Sequence, residues 1–320
     1  MTQLGKAKTI SLLALLITCV ALASFFAVRH QIDSAGNATV SQPQSSDVAA
    51  TSVQYSHDEL TAYALSLINS DRQTSSNAPN VTLISVNSAQ QHAEDMLKNS
   101  YFSHWDTKGY KPYVRYTLAG GQGAVNENIA ARFGSSLDPK AAIKDLEQSM
   151  MNDDAEANWG HRNNILNPFH NKVGIGIAYD NDSFYMVQDF EDDYVQWTNL
   201  SISQGEATMG GTFTKSGFTI KQVDVYFDAP KNLSSTDLEN TPYNSSYDAG
   251  TFVGSVADSE LLLTSGIFVP ARAWNQSGET FQISFSLEPL FSRSGMGIYT
   301  LRLWCDNGEC LTNYSVFFPD

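Results

Sequence analysis

Three short stretches carry polar side chains of the kinds that do chemistry: Ser103-His104-Trp105-Asp106, Asn126-Glu127-Asn128 and Gly160-His161-Arg162-Asn163-Asn164. Neutral imidazoles at His104 and His161 could hold a divalent metal and leave positions to water, an open geometry that zinc tolerates. Glu127 could then accept a ring N–H and orient it. On that reading zinc is the cofactor and lowers the pKa of bound water. Glu127 acts as base or orienter in a hydrolase working on cell-envelope material. The plainer reading has His104 and Glu127 tying loops to a helical layer, because buried polar groups must be paired. Two His and one Glu fall short of a complete catalytic set, which favours binding over turnover. Arg115 and Arg162 read as structural ion-pair partners, His92 as exposed on its helix, and His170 as a loop residue with no ligand role. H-E-x-x-H, G-x-S-x-G, P-loop and G-x-G-x-x-G signatures are absent from the sequence, which lowers the standing of those enzyme classes.

The motifs run in the order S-H-x-D, E-N-I-A, G-H-R-x-N-I-L and V-G-I-G, the last at Val173–Gly176. In this order they resemble the CAP superfamily, named for cysteine-rich secretory proteins, antigen 5 and pathogenesis-related proteins. The likeness is to its cysteine-poor microbial branch of SCP-like extracellular proteins, and it covers about residues 57–196. The resemblance implies an α-β-α sandwich with a cleft lined by two His and two acidic residues, where some members bind zinc. His104, Glu127 and His161 match three of those positions. The fourth falls on Ser149, with Leu146 where the family has an aromatic. An insertion from Met150 to Trp159 follows and contains Asp153, Asp154 and Glu156. Any of these, or Glu147, is available to replace the missing carboxylate, and the sequence selects none.

The elements that must position these residues are legible as periodicity. Ser56-His57-Asp58-Glu59 has the form of a capping box, and Leu60, Tyr63, Ala64, Leu67 and Ile68 follow on one helical face. Asn87 can cap a second helix with Ala89, Ala93, Met96 and Leu97 inside. Lys111–Ala119 reads as a third helix stopped by Gly120-Gly121, and Asp138-Pro139 opens a fourth that reaches about Met150. Val173, Ile175, Ile177 and Tyr179 then alternate as a strand, Asp180-Asn181-Asp182 turns the chain, and Phe184–Phe190 returns. Beyond Gln196 the signals are short strands: Phe218–Phe227, Thr251–Val256, Leu261–Val269, Thr280–Leu287, Gly297–Trp304 and Tyr314–Phe318. The expected class is therefore α+β, an α-β-α sandwich over 57–196 followed by an all-β sandwich over 197–320. The second domain shows no catalytic cluster and reads as a stalk, spacer or adhesion module.

The N-terminus points outside the cell. Lys6 and Lys8 precede an uncharged run, Ile10–Val28, whose nineteen residues at ~1.5 Å each reach roughly 28 Å, near the thickness of a bilayer core. It reads as a transmembrane signal-anchor with a cytoplasmic tail at 1–9 and a flexible tether at 29–56, so that the body lies outside. Two alternatives stay open: cleavage after Ala21-Leu22-Ala23, which would release a secreted protein, and lipidation at Cys19. Export also fits Cys305-Asp-Asn-Gly-Glu-Cys310, whose hairpin-like spacing predicts a disulfide. Sequons at Asn37, Asn80, Asn181, Asn199, Asn232, Asn244, Asn275 and Asn313 fit a glycoprotein. Lys+Arg 19 against Asp+Glu 34 leaves the chain at −15. That charge argues against nucleic acid as a partner, because phosphate binding needs an excess of cations. The partners that remain are an extracellular ligand, a lipid, a glycan or an envelope protein.

Overall fold

The computed structural model describes residues 54–319. The proposed anchor at Ile10–Val28, the tail before it, most of the tether, Cys19 and the Asn37 sequon lie outside the described residues. Among the described residues no helix is long and apolar enough to cross a membrane.

The first half is built of α1 (His57–Ser75), β1 (Thr82–Leu83), α2 (Ser88–Asn99), α3 (Pro112–Leu118), β2 (Ala124–Phe133), α4 (Pro139–Asn152), α5 (Gly160–Leu166), β3 (Lys172–Tyr179) and β4 (Ser183–Asp192). The Ser56 capping box forms, and the Asp138 side chain accepts from the Ala141 N–H at the start of α4. Asn87 precedes α2 without making a side-chain cap. The sheet runs β1-β3-β4-β2. Alternation along it feeds two layers. Val173, Ile175, Ile177, Phe184, Met186 and Phe190 pack with Leu60, Ile68, Ile143 and Ile165 of α1, α4 and α5. Ile129, Tyr185 and Val187 pack with Ala89, Ala93 and Met96 of α2 on the other face. Helix α2 lies so close to β3 that a Cβ on Gly176 would sit 2.1 Å from the Ala89 carbonyl oxygen. The second glycine of V-G-I-G is thus a packing requirement.

The second half adds β5 (Val195–Ser203), β6 (Glu206–Phe213), β7 (Ile220–Asp228), α6 (Ser235–Leu238), β8 (Thr251–Ala257), β9 (Ile267–Pro270), β10 (Ala273–Ser277), β11 (Thr280–Ser286), α7 (Glu288–Ser294), β12 (Gly297–Cys305) and β13 (Cys310–Phe318). Sheets β10-β11-β6-β5 and β13-β12-β7-β8-β9 face each other across Met209, Ile283 and Phe285 on one side and Val223, Val225, Leu301 and Leu303 on the other. Three expectations are corrected here. The strand expected at Leu261–Val269 begins only at Ile267; Gly266 turns the chain at φ +75° and Leu262 is fully exposed. Asn313 is buried, its amide paired with the backbone N–H and C=O of Val125, so a glycan there has no room.

The third correction is the disulfide: Cys305 and Cys310 are free thiols. A bulge shifts the ladder so that Cys310 faces Trp304, while Cys305 faces Ile220 and joins the sandwich core. A one-residue slip sends neighbouring side chains to opposite faces of a sheet. Burial pushes both thiols up to about 12, so neither offers a thiolate near neutrality. Both should resist alkylation by iodoacetamide in the native protein and react once it is unfolded in urea; a cross-linked 305–310 peptide in the mass spectrum would contradict the register.

The halves are tightly joined. Lys111, buried on the first, bonds Asp228 Oδ1 at 2.7 Å and Asp248 Oδ1 at 2.6 Å on the second, and lies over the Trp105 ring. Tyr113 donates to Asp228 and Ser103 donates to the Tyr243 carbonyl. Leu238 completes the apolar cluster of α2, and Ile298 completes that of α3. A stalk does not require such a shared interior.

Candidate functional site

Strand register sets the first half of the site. Glu127 on β2 stands opposite Asp189 on β4, and both carboxyls are buried on the face toward α2 and α3. Helix α3 brings Arg115 to them. Its guanidinium donates to Glu127 Oε2 at 2.6 Å and to the backbone carbonyls of His104 and Tyr110. The loop after α2 brings His104, whose Nδ1 lies 2.9 Å from Glu127 Oε1. Ser88, at the start of α2, donates to Asp189 Oδ2. Burial raises the pKa of both carboxyls, and Glu127 raises Asp189 further, while Arg115 opposes both shifts and the hydrogen bond with Asp189 also holds Glu127 down. Burial together with His161 and Arg115 lowers His104 to about 3. Once Glu127 is ionised, the neutral ring donates from Nδ1 and keeps Nε2 as the free lone pair.

The second half comes from α4, α5 and the turn between them. His161 opens α5, and its Nδ1 lies 2.6 Å from Asp154 Oδ1; the other oxygen of Asp154 accepts the Arg162 N–H. The insertion therefore supplies the missing carboxylate, and of the four candidates it is Asp154. Ser149 stands exposed on α4, facing the same cleft. Glu147 is buried instead and accepts from Gln188. Arg115 is the ion-pair partner expected, whereas Arg162 donates to the Met151 carbonyl rather than to a carboxylate.

A buried chain of amides joins the halves. Asn128 Nδ2 donates to the His161 carbonyl and to Gln188 Oε1, and Asn164 Nδ2 donates to Asn128 Oδ1. His170 ties the far end, with Nε2 2.9 Å from Asn164 Oδ1 and Nδ1 2.6 Å from Asp192 Oδ1. This explains the asparagines of the E-N and G-H-R-x-N motifs as braces between β2 and α5. His92 is corrected from exposed to buried: it sits on the inner face of α2 with Nε2 2.8 Å from the Ser103 carbonyl, holding the loop that carries His104.

His104, Glu127, Ser149, Asp154 and His161 all border one open cleft of about 770 Å³, with Phe102, Leu146 and Met150 among its apolar lining. Its remaining wall was not anticipated. Tyr247, in the β7–β8 connection of the second half, places its ring tilted against His104 with the centroids 5.0 Å apart, and its hydroxyl accepts the Glu127 N–H at 3.0 Å. No spacing rule links residues so far apart in the chain. Asp189 did leave a signal, as a carboxylate inside a strand buried on both faces.

Resident zinc is not matched by this donor set. The two imidazoles carry carboxylates on Nδ1 as metal-bound rings do, yet catalytic zinc takes three protein ligands. Among the described residues no group of three His, Cys, Asp or Glu is placed to hold an ion.

Residues 65–190 match the sequence profile of CAP, the cysteine-rich secretory protein family. A comparison with curated proteins gave no match. Among solved structures, the chain is similar to an extracellular SCP-domain protein from Bacillus anthracis at 24% identity, over 44% of this chain and 45% of that one, with a TM-score of 0.35. It is similar to an outer surface protein of Borrelia burgdorferi at 15% identity, over 45% of this chain and 100% of that one, also with a TM-score of 0.35. The CAP domain of enterococcal PrgA aligns at 17% identity over 43% of this chain and 63% of that one, with a TM-score of 0.29. The chain thus spans less than half of the Bacillus protein.

Proposed function

We propose that this chain, whose residues 65–190 carry the CAP profile, is an extracytoplasmic binding protein that holds a ligand in the cleft between its two halves. The observation that carries the reading is the convergence of His104, Glu127, Asp154 and His161 on one open cleft of about 770 Å³. That volume is within the range of small-molecule sites, about 300–1,000 Å³. The lining combines apolar side chains with a few fixed polar groups, which is how such sites bury a ligand and orient it. His104 and His161 are each held at Nδ1, so each presents Nε2 to a bound molecule. The hydrolase alternative lacks a third metal donor among the described residues. In this reading Ile10–Val28 tethers the body outside the membrane.

The test is retention of a ligand by the full chain. Protein incubated with an extract of membrane lipids and cell-wall glycans, then examined by native mass spectrometry, should carry a bound species. Ser149 is exposed at the cleft, so Ser149→Trp should fold normally and lose that species. Equal retention by the variant, or none by the wild type, would remove the support for a binding cleft.

A further inference from the structure

We propose that the segment Asn244–Tyr247 of the second half is the specificity-determining wall of the cleft, with Tyr247 positioning the His104–Glu127 pair. This deepens the ligand-binding reading and rests on it. Asn244, Ser245, Ser246 and Tyr247 line the same cleft as Ser149 and Asp154. Tyr247 touches the site twice, through its ring on His104 and through the hydroxyl that accepts the Glu127 N–H. The His104 side chain, beside that ring, is 13% exposed, and that of His161 is 28% exposed.

The wall is held from both ends. Asp248, next to Tyr247, bonds the buried ammonium of Lys111, which also bonds Asp228 at the end of β7. Tyr243, just before the wall, stacks edge-on to Trp105 at 5.2 Å and accepts the Ser103 hydroxyl through its carbonyl. Trp105 and Ser103 flank His104 itself. The wall and the histidine are therefore fastened to the same loop, and a shift in one moves the other. Side chains locked by such supporting contacts are what give a site a fixed shape. A ligand seated in the cleft must touch both halves of the chain, and its width is limited by residues that the CAP profile does not cover.

Site-resolved labelling with diethyl pyrocarbonate, read by mass spectrometry on the full chain, tests the wall without knowledge of the ligand. Tyr247→Ala should raise the labelling rate of His104 by roughly fivefold while His161 stays within about twofold of wild type. Tyr247→Phe keeps the ring and should leave both rates unchanged. Ser246→Trp, an exposed position at the mouth, should slow both histidines and abolish retention of the extract-derived species. His104 labelling unchanged in Tyr247→Ala would overturn the proposal, as would His161 rising in parallel, which signals general loosening. Unchanged labelling and retention in Ser246→Trp would overturn it too. A wild type that retains no ligand yet shows the labelling pattern would sink the binding reading and leave the wall in place.

Discussion

Replacing Arg115 with Met should destabilise the protein by about 3–5 kcal/mol, the range for removing one partner of a buried ion pair. The guanidinium is buried and serves three acceptors: Glu127 Oε2 and the carbonyls of His104 and Tyr110. Without it, Glu127 and Asp189 face each other with no cation between the layers, and the His104 carbonyl loses the guanidinium donor, whereas the Tyr110 carbonyl keeps the Asp106 N–H. An unmet buried acceptor costs about 1–3 kcal/mol. Arg115→Lys keeps the charge but not the fork that reaches separate acceptors, so it should recover only part of the loss. Urea unfolding followed by circular dichroism measures both variants. A Met variant within about 1 kcal/mol of wild type would mean that the cation is not what holds His104 and Glu127 together.

The second large effect is a loss of stability as pH rises from about 6.5 to about 8. Burial raises Glu147 to about 8 and Glu191 to about 7, and it raises Glu127 and Asp189 as well. A carboxyl raised on folding keeps its proton in the native chain after the unfolded chain has released it. The native state then binds more protons, and stability falls with rising pH until the folded pKa is passed. His104 and His92 are lowered mainly by burial and act in the opposite sense, adding stability as pH rises toward the ordinary histidine value. Above about 6.5 their contribution is complete and only the carboxyls remain. Glu147 isolates the effect, because Gln188 donates to one of its oxygens while the other has no partner. Glu147→Gln mimics the protonated acid and should flatten the pH dependence between 6.5 and 8 by roughly 1–2 kcal/mol. A wild-type urea midpoint that holds steady or climbs over that interval would show these carboxyls to be solvated.

Patterns with short reach in the chain were readable and held. The capping box at Ser56, the faces of α1 and α2, the opening of α4 at Asp138-Pro139 and the β3–β4 hairpin each depend on neighbours within a few residues. What failed also had a local cause. β5 and β6 carry no clean strand signal, because a bulge between Trp197 and Asn199 breaks the alternation of the first and Gly210-Gly211 interrupts that of the second. His92 looked polar and therefore exposed, but its partner is a loop carbonyl eleven residues on. The disulfide failed on register, since spacing in a hairpin does not reveal a bulge.

By itself the sequence determined the ordered motifs and the α+β pattern of the first half, because each is a local run whose side chains a regular element must present in a known direction. The grouping of His104, Glu127 and His161 around a cleft was implied by the resemblance and not by any such periodicity. Only the tertiary structure decided that Asp154 rather than Asp153, Glu156 or Glu147 completes the His161 pair, and that Tyr247 closes the cleft from the second half. Those assignments depend on how a turn and a long connection settle against distant strands, and contacts of that kind leave no periodicity in the chain that makes them.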